Sequence, residues 1–289
     1  MYNVRRIEYP TGYQIRIYVG GVAGNGGHDF EDDIDWIDYL DGDINLKADK
    51  RSCPVDEWLD ASQWIDDFDD LDAMEQKRKA ESERVSAARC KNNLYYISRS
   101  NVWQWFVTLT IAPSDRIDRY NYDECSAKVR KWFNHIRERK APDLYYLIVP
   151  EMHKDGAWHY HALIGGADGL TFVDSGHKDA AGEPIYNFED WRYGFSTATR
   201  IVDTCRASSY IAKYITKDMC RAIKGKHRFW ASKSCQRASV EDYLVDREEL
   251  ARYRQELMEH MSYKSAIDTA YYRVEYFEIP KGDGVNAVG

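Results

Sequence analysis

Long uncharged apolar runs are missing from this chain of 289 residues, so it lacks the pattern of a membrane-spanning helix. Its first residues, MYNVRRIEYP, also lack the apolar stretch of a signal peptide. We therefore expect a soluble protein that acts in the cytoplasm and has no membrane partner.

Closely spaced cysteine pairs are also absent. The six cysteines are scattered along the chain, without CxxC spacing and without the density of a disulfide scaffold: Cys53, Cys90, Cys125, Cys205, Cys220 and Cys235. This pattern predicts free thiols in a reducing compartment.

The net charge of −8 is concentrated in one segment. Residues 29–72 contain 17 Asp and Glu against three Lys and Arg, a net charge of −14 that leaves the rest of the chain at +6. The chain therefore keeps basic surface for nucleic acid. Acidic residues alternate here with Trp, Ile, Leu and Phe, as in short amphipathic helices or a partly disordered arm. Such a segment could occupy a basic groove until DNA displaces it, or dock a host replication protein.

Strand and helix patterns alternate along the chain and predict an α+β fold, with a central antiparallel β-sheet flanked by helices. We expect an N-terminal extension (1–100), a central domain (101–235) with a loop-like insertion (165–194), and a C-terminal helix and closing strand (236–289). Expected strands lie at 4–19 (two strands around a Pro-Thr-Gly turn), 103–113, 144–152, 158–165, 195–202 and 271–279. Expected helices lie at 73–92, 122–139, 204–223 with Thr204 as N-cap, and 240–261.

Two histidines, His159 and His161, are separated by one residue in the apolar stretch WHYHALIGG. In a strand both side chains would point to one face, and a hairpin turn near Asp155 would bring Glu151 opposite them. Two imidazoles and one carboxylate leave coordination positions open, as in a catalytic metal site. The set suits Mg²⁺ or Mn²⁺ acting on phosphate, although raw affinity would favour Zn²⁺. The structural alternative is a pair of buried core histidines.

The stretch SYIAKYITK places Tyr210 and Tyr214 four residues apart, and Lys213 and Lys217 at the same spacing. On a helix each pair would lie on one face. A tyrosine can form a covalent phosphodiester when a metal polarises the phosphate and a cation stabilises the developing charge. The structural alternative is half-buried packing, since the chain has 22 tyrosines.

Basic residues that could contact the backbone of single-stranded DNA occur in several segments, and KGKHRFWASKS interleaves them with aromatic rings that could stack on bases. An ordinary solvated loop is the alternative for that segment. The candidate DNA-binding residues are Arg116, Lys131, Lys224, Lys226, Arg228 and Trp230.

Three stretches occur in a familiar order, about fifty residues apart: FVTLT at 106–110, HYH at 159–161 and YIAKYITK at 210–217. In this the chain resembles the HUH endonucleases, and specifically the two-tyrosine rolling-circle replication initiators of small phages, plasmids and single-stranded DNA viruses. The resemblance covers about residues 103–234.

The resemblance implies a central antiparallel sheet, an RRM-like palm, that carries the histidines. It implies that His159, His161 and Glu151 bind Mg²⁺ or Mn²⁺, and that a tyrosine attacks DNA to leave a 5′-phosphotyrosine and a priming 3′-OH. Tyr214 is the first candidate, because some plasmid relatives lack a tyrosine at the position of Tyr210. Lys213 and Lys217 are candidate supporting cations, and FVTLT is expected to form a core strand without a chemical role.

The expected DNA partner is the single-stranded origin of the protein's own replicon, in a bacterial host cell. No GxxxxGK[ST] motif is present, so unwinding would fall to a host helicase and synthesis to a host polymerase. The alternatives are an HUH transposase or mobilisation relaxase with the same chemistry, a non-catalytic DNA-binding regulator, and a zinc-dependent hydrolase that acts through water.

Overall fold

A computed structural model of the chain describes residues 2–22, 71–114, 117–215, 223, 225–268 and 273–281. The described residues divide into two compact units. One unit combines the two ends of the chain, up to Arg89 and from Arg237 onward, and the other consists of Cys90–Gln236. Nearly all of the acidic segment 29–72 lies outside the described residues.

The described ranges contain twelve strands and four helices, numbered here in chain order. The strands are β1 (Tyr2–Tyr9), β2 (Gly12–Val22), β3 (Trp105–Thr110), β4 (Tyr145–Met152), β5 (Trp158–Gly165), β6 (Phe172–Lys178), β7 (Pro184–Phe188), β8 (Ser196–Arg200), β9 (Trp230–Ala231), β10 (Ser239–Tyr243), β11 (Tyr263–Asp268) and β12 (Arg273–Pro280). The helices are α1 (Leu71–Arg99), α2 (Tyr122–Arg139), α3 (Thr204–Ala212) and α4 (Arg247–His260).

The unit formed by the chain ends has a five-stranded antiparallel sheet in the order β10-β1-β2-β12-β11. Helix α4 contributes Tyr253 and Leu257 to a core with the apolar residues of the sheet. The two strands expected within 4–19 are confirmed. The single helix expected at 240–261 is wrong at its start, because residues 239–243 pair with β1 and Asp246 then caps α4 by accepting from the backbone N–H groups of Glu248 and Glu249.

The central unit has a seven-stranded antiparallel sheet in the order β6-β7-β8-β3-β5-β4-β9, which confirms the α+β fold with a central sheet. Helix α2 packs on one face of this sheet. The ring centroids of Phe133 and Tyr146 are 4.6 Å apart, and the hydroxyls of Ser126 and Tyr160 are 3.0 Å apart. Helix α3 belongs to the opposite face, where Tyr210 contacts Phe106 of β3.

The insertion at 165–194 is not the loop-like segment expected from its glycines. It contains the hairpin β6–β7, which extends the sheet beyond β8. Aromatic packing explains the difference: Phe172 stacks on Trp105 at 4.0 Å and on Phe188 at 4.7 Å, and Tyr186 meets the Trp105 ring edge-on. These side chains bury enough apolar area to hold a hairpin that its sequence alone does not indicate.

Two helix boundaries also differ from expectation. Helix α1 continues to Arg99, seven residues beyond the expected end. The N-cap of α3 is Asp203 instead of Thr204, because the Asp203 carboxylate accepts from the backbone N–H groups of Cys205 and Arg206. After Ala212 the backbone tightens into i→i−3 hydrogen bonds that end at Ile215. The predicted continuation to residue 223 falls mostly on residues outside the described ranges.

Four cysteines lie in the described ranges, and all four are free thiols: Cys90, Cys125, Cys205 and Cys235. Within those same ranges, no helix combines the length and apolarity needed to cross a membrane.

Cys125 should resist thiol reagents while the protein is folded. Its side chain is fully buried and donates a hydrogen bond to the carbonyl of Asp118, and burial raises the pKa of its thiol to about 12. The reactive thiolate is therefore scarce at neutral pH. Iodoacetamide labelling followed by peptide mass spectrometry should leave Cys125 unmodified in native protein and modify it in urea. Labelling of Cys125 at the same rate in both conditions would contradict this burial.

Candidate active site

His161 is held by three neighbours at the centre of the sheet. It lies on β5, directly opposite Thr108 of β3 and Val149 of β4. Its Nε2 lies 2.7 Å from Glu151 Oε2, and its Nδ1 lies 3.1 Å from Thr108 Oγ1. Only 5% of the residue is exposed. Both ring nitrogens therefore have polar partners, and the orientation of the imidazole is set by the strands on either side.

His159 points to the same face two residues earlier, and its register partners are Thr110 and Glu151. Its ring stacks on His153, with centroids 4.8 Å apart and planes 11° apart. His153 was expected to be an unengaged loop histidine, so the sequence analysis missed this contact. The Asp155 carboxylate steadies His153, because it lies 3.2 Å from His153 Nδ1, 3.0 Å from the Arg119 guanidinium, and accepts from the backbone of Ala157.

The electrostatics favour neutral imidazoles beside an ionised carboxylate. Burial lowers the pKa of His161, which the Glu151 carboxylate only partly offsets. Burial and the neighbouring His153 and His161 lower the pKa of His159. Burial alone would raise the pKa of Glu151, but its hydrogen bond to His161 and the nearby histidines lower it overall. These are the protonation states in which such side chains bind cations.

The three expected metal ligands share one face of the sheet but are not equally close to one another. Glu151 and His161 are in direct contact, whereas His159 is turned toward His153. In the part of the chain that the structure describes, no three His, Cys, Asp or Glu side chains are grouped so that they could hold a metal ion. The side chains instead make hydrogen bonds and ring contacts with one another.

The tyrosines expected to carry chemistry meet this histidine face. The Tyr214 ring stacks on His161, with centroids 3.5 Å apart and planes 13° apart. Its hydroxyl donates to the hydroxyl of Tyr210 at 3.1 Å. Phe106 packs against both tyrosine rings and against His161, at 5.1, 6.4 and 5.9 Å. The turn after α3 and the centre of the sheet therefore form one cluster.

The two tyrosines have different surroundings. Tyr210 is 41% exposed, whereas the Tyr214 side chain is largely covered by His161 and Phe106. Burial raises the pKa of Tyr214, and so do the hydrogen bond to Tyr210 and the charge of Glu151. Its hydroxyl is therefore protonated at neutral pH. Lys213 Nζ lies 5.6 Å from the centroid of the Tyr210 ring, and Lys217 lies outside the described residues.

The expected DNA-binding residues do not join this cluster. Trp230 pairs with Ile148 and packs near Tyr122 and Tyr160, on the sheet face that α2 covers. Lys226 lies beside it and bonds to Asp123 at 2.6 Å. Of the remaining four, Lys131 is exposed on α2, Arg228 is half-buried, and Arg116 and Lys224 lie outside the described residues.

Thr108 is a site residue that the sequence analysis missed, since FVTLT was expected to form a core strand without chemistry. A signal was present, because Phe106, Thr108 and Thr110 alternate with Val107 and Leu109. The alternation predicts a half-exposed face, and in the structure these three residues are half-buried while the two between them are fully buried. What could not be anticipated is that His161 would lie directly opposite Thr108.

Residues 104–219 match a protein-family model of replication-associated proteins, those of the ORF2 type. The matched range includes β3, β4, β5 and both tyrosines of the cluster. This match supports a replication-initiator role for the protein. No curated protein and no solved structure matches the chain.

Tyr160, between the two histidines, should contribute to stability alone. It is fully buried on the opposite face, with its hydroxyl 3.0 Å from that of Ser126. Tyr160→Phe should lower the free energy of unfolding by about 1–3 kcal/mol, because the Ser126 hydroxyl loses its partner. Urea denaturation checks this value. Adding Ser126→Ala to Tyr160→Phe should recover part of the loss, and a double variant with fully additive losses would contradict the pairing.

Proposed function

We propose that this protein nicks and rejoins single-stranded DNA at a replication origin through a covalent 5′-phosphotyrosine intermediate, and so starts rolling-circle replication. The observation that carries the proposal is the stacking of Tyr214 on His161, whose imidazole also contacts Glu151. A nucleophile and a cation-binding pair thus meet on one sheet face. The family match over residues 104–219 favours replication over transposition or mobilisation as the setting.

A divalent ion, Mg²⁺ or Mn²⁺, would be held by His161, Glu151 and His159. His161 Nε2 and Glu151 Oε2 lie 2.7 Å apart, close to the separation of about 3 Å between neighbouring ligands of an octahedral ion at about 2.1 Å. The donors are nitrogen and oxygen without a thiolate, which suits an ion that acts on phosphate. When bound, the ion supplies positive charge that polarises a phosphate oxygen.

Tyr214 is the proposed nucleophile because it contacts His161 directly. Its hydroxyl oxygen forms a bond to the phosphorus and loses its proton, while the bond from phosphorus to the 3′ oxygen breaks. The 3′ oxygen takes up a proton and leaves as the free 3′-OH that primes synthesis. In the structure the Tyr214 proton points to the Tyr210 hydroxyl, which gives it a first acceptor.

Tyr210 is the proposed second nucleophile, which would serve the rejoining step. Its hydroxyl lies 3.1 Å from that of Tyr214, and it is the more exposed of the two, so a second DNA strand can reach it. Lys213, near the Tyr210 ring, is the proposed supporting cation, and Lys217 remains a candidate for the same role. A host helicase and a host polymerase in a bacterial cytoplasm would complete replication.

Tyr214→Phe should abolish formation of a covalent protein–DNA adduct, because it removes the attacking oxygen but keeps the ring that stacks on His161. The assay incubates the protein with Mn²⁺ and single-stranded DNA from its own replicon, and separates the products on a denaturing gel. Tyr160→Phe, which alters the other sheet face, is the matched control and should keep the adduct.

Other outcomes would change the proposal in defined ways. An adduct that persists in Tyr214→Phe but disappears in Tyr210→Phe would make Tyr210 the first nucleophile. The absence of an adduct with every origin fragment, together with normal DNA binding, would favour a non-catalytic DNA-binding regulator.

Thr108→Val should weaken Mn²⁺ binding about 10- to 100-fold, the usual cost of losing a hydrogen bond to a ligating histidine. The Thr108 hydroxyl can donate to or accept from His161 Nδ1, so it orients the ring while Nε2 faces Glu151. Titration calorimetry without DNA measures the affinity directly. Thr108→Ser keeps the hydroxyl and should bind nearly as wild type, whereas equal losses in both variants would show that Thr108 acts through packing.

A further inference from the structure

Beside the histidine–tyrosine cluster, one face of β3 and β8 is left partly open. Burial alternates strictly along both strands: Val107, Leu109, Ser196 and Ala198 are buried toward α2, whereas the residues between them are half-buried or exposed. We call this surface the threonine face. It consists of Phe106, Thr108, Thr110, Phe195, Thr197 and Thr199.

Phe195 is the most exposed aromatic side chain in the described part of the chain, at 65%. Its backbone is nevertheless fastened to β3, since its carbonyl accepts from the Thr110 N–H at 2.9 Å. The preceding Gly194 lies so close to β3 that a Cβ there would come within 2.3 Å of the Thr110 carbonyl oxygen. Trp191 Nε1 donates to that same oxygen at 3.0 Å. A rigid backbone therefore presents an uncovered phenyl ring.

The ring stands in line with the candidate active site. Phe195 lies opposite Thr110, and Thr110 lies opposite His159 on the next strand. Two strand spacings, about 10 Å, thus separate the backbones of Phe195 and His159. Because facing residues of paired strands project to the same side, the phenyl ring and the imidazole share the threonine face.

We infer that single-stranded DNA crosses the threonine face, with Phe195 stacked on a base next to the phosphodiester that Tyr214 attacks. This inference rests on the proposed function. The face has no charged side chain, and it combines threonine hydroxyls, which can bond to phosphate and sugar, with aromatic rings, which can stack on any base. Trp230, the aromatic expected from sequence, packs on the opposite face, so Phe195 takes the stacking role.

The test compares two fluorescein-labelled strands by fluorescence anisotropy in buffer without divalent metal: an oligo(dT) and an abasic oligomer of the same length. Phe195→Ala should weaken oligo(dT) binding about 5- to 150-fold, the loss expected for one base–aromatic stack. Binding of the abasic strand should not change, because that strand has a backbone but no bases. Phe195→Trp should restore oligo(dT) binding.

Leu244→Ala is the matched control, because Leu244 is a 69% exposed apolar residue of the other unit. It should bind both strands as wild type does. Thermal unfolding should show that Phe195→Ala folds normally, since its side chain has little burial to lose.

Unchanged oligo(dT) binding in Phe195→Ala, or an equal loss on both strands, would overturn the stacking role. Such a result in a protein whose wild type still forms the Tyr214 adduct would leave the proposed function intact. Failure of the wild type to bind either strand and to form any adduct would instead overturn the proposed function itself.

Discussion

The contacts of one side chain, His161, connect the parts of the candidate site. Its two nitrogens contact residues of the strands on either side, Thr108 and Glu151, and its ring supports Tyr214 from the turn after α3. A nearly buried imidazole needs such partners, since leaving a ring nitrogen without one would cost free energy. The same contacts that satisfy the buried ring bring a carboxylate and a phenol to one place. Stability and function therefore depend on one set of atoms.

The alternation of side chains in the central strands separates two roles. On one face, Tyr160 and its neighbours pack under α2 and make a conventional core. On the other face, His159 and His161 lie beside a partly open surface of threonines and aromatic rings. A strand can serve both purposes because successive residues point to opposite faces. This also explains why Trp230, although aromatic and near basic residues, lies away from the tyrosines: its register with Ile148 directs it to the α2 side.

Short-range patterns predicted much of the site. The His-x-His spacing placed both imidazoles on one face, and the Asp155 turn brought Glu151 into register with His159. The spacing of Tyr210 and Tyr214 predicted neighbouring hydroxyls, which lie 3.1 Å apart. The roles of His153 and Thr108 were missed because they arise from contacts across a turn and between strands far apart in sequence. The hairpin β6–β7 was missed because its glycines hid an aromatic packing with Trp105.

The sequence by itself determined which side chains share a strand face or a helix turn, because those relations depend on fixed backbone periods of 2 and about 3.6 residues. It also placed the charge, with an acidic segment at 29–72 and a mildly basic remainder. Only the tertiary structure decided the register of β5 between β3 and β4, and the stacking of Tyr214 on His161. These depend on how the whole sheet and α3 pack, and packing is a collective property of many distant residues that no local pattern encodes.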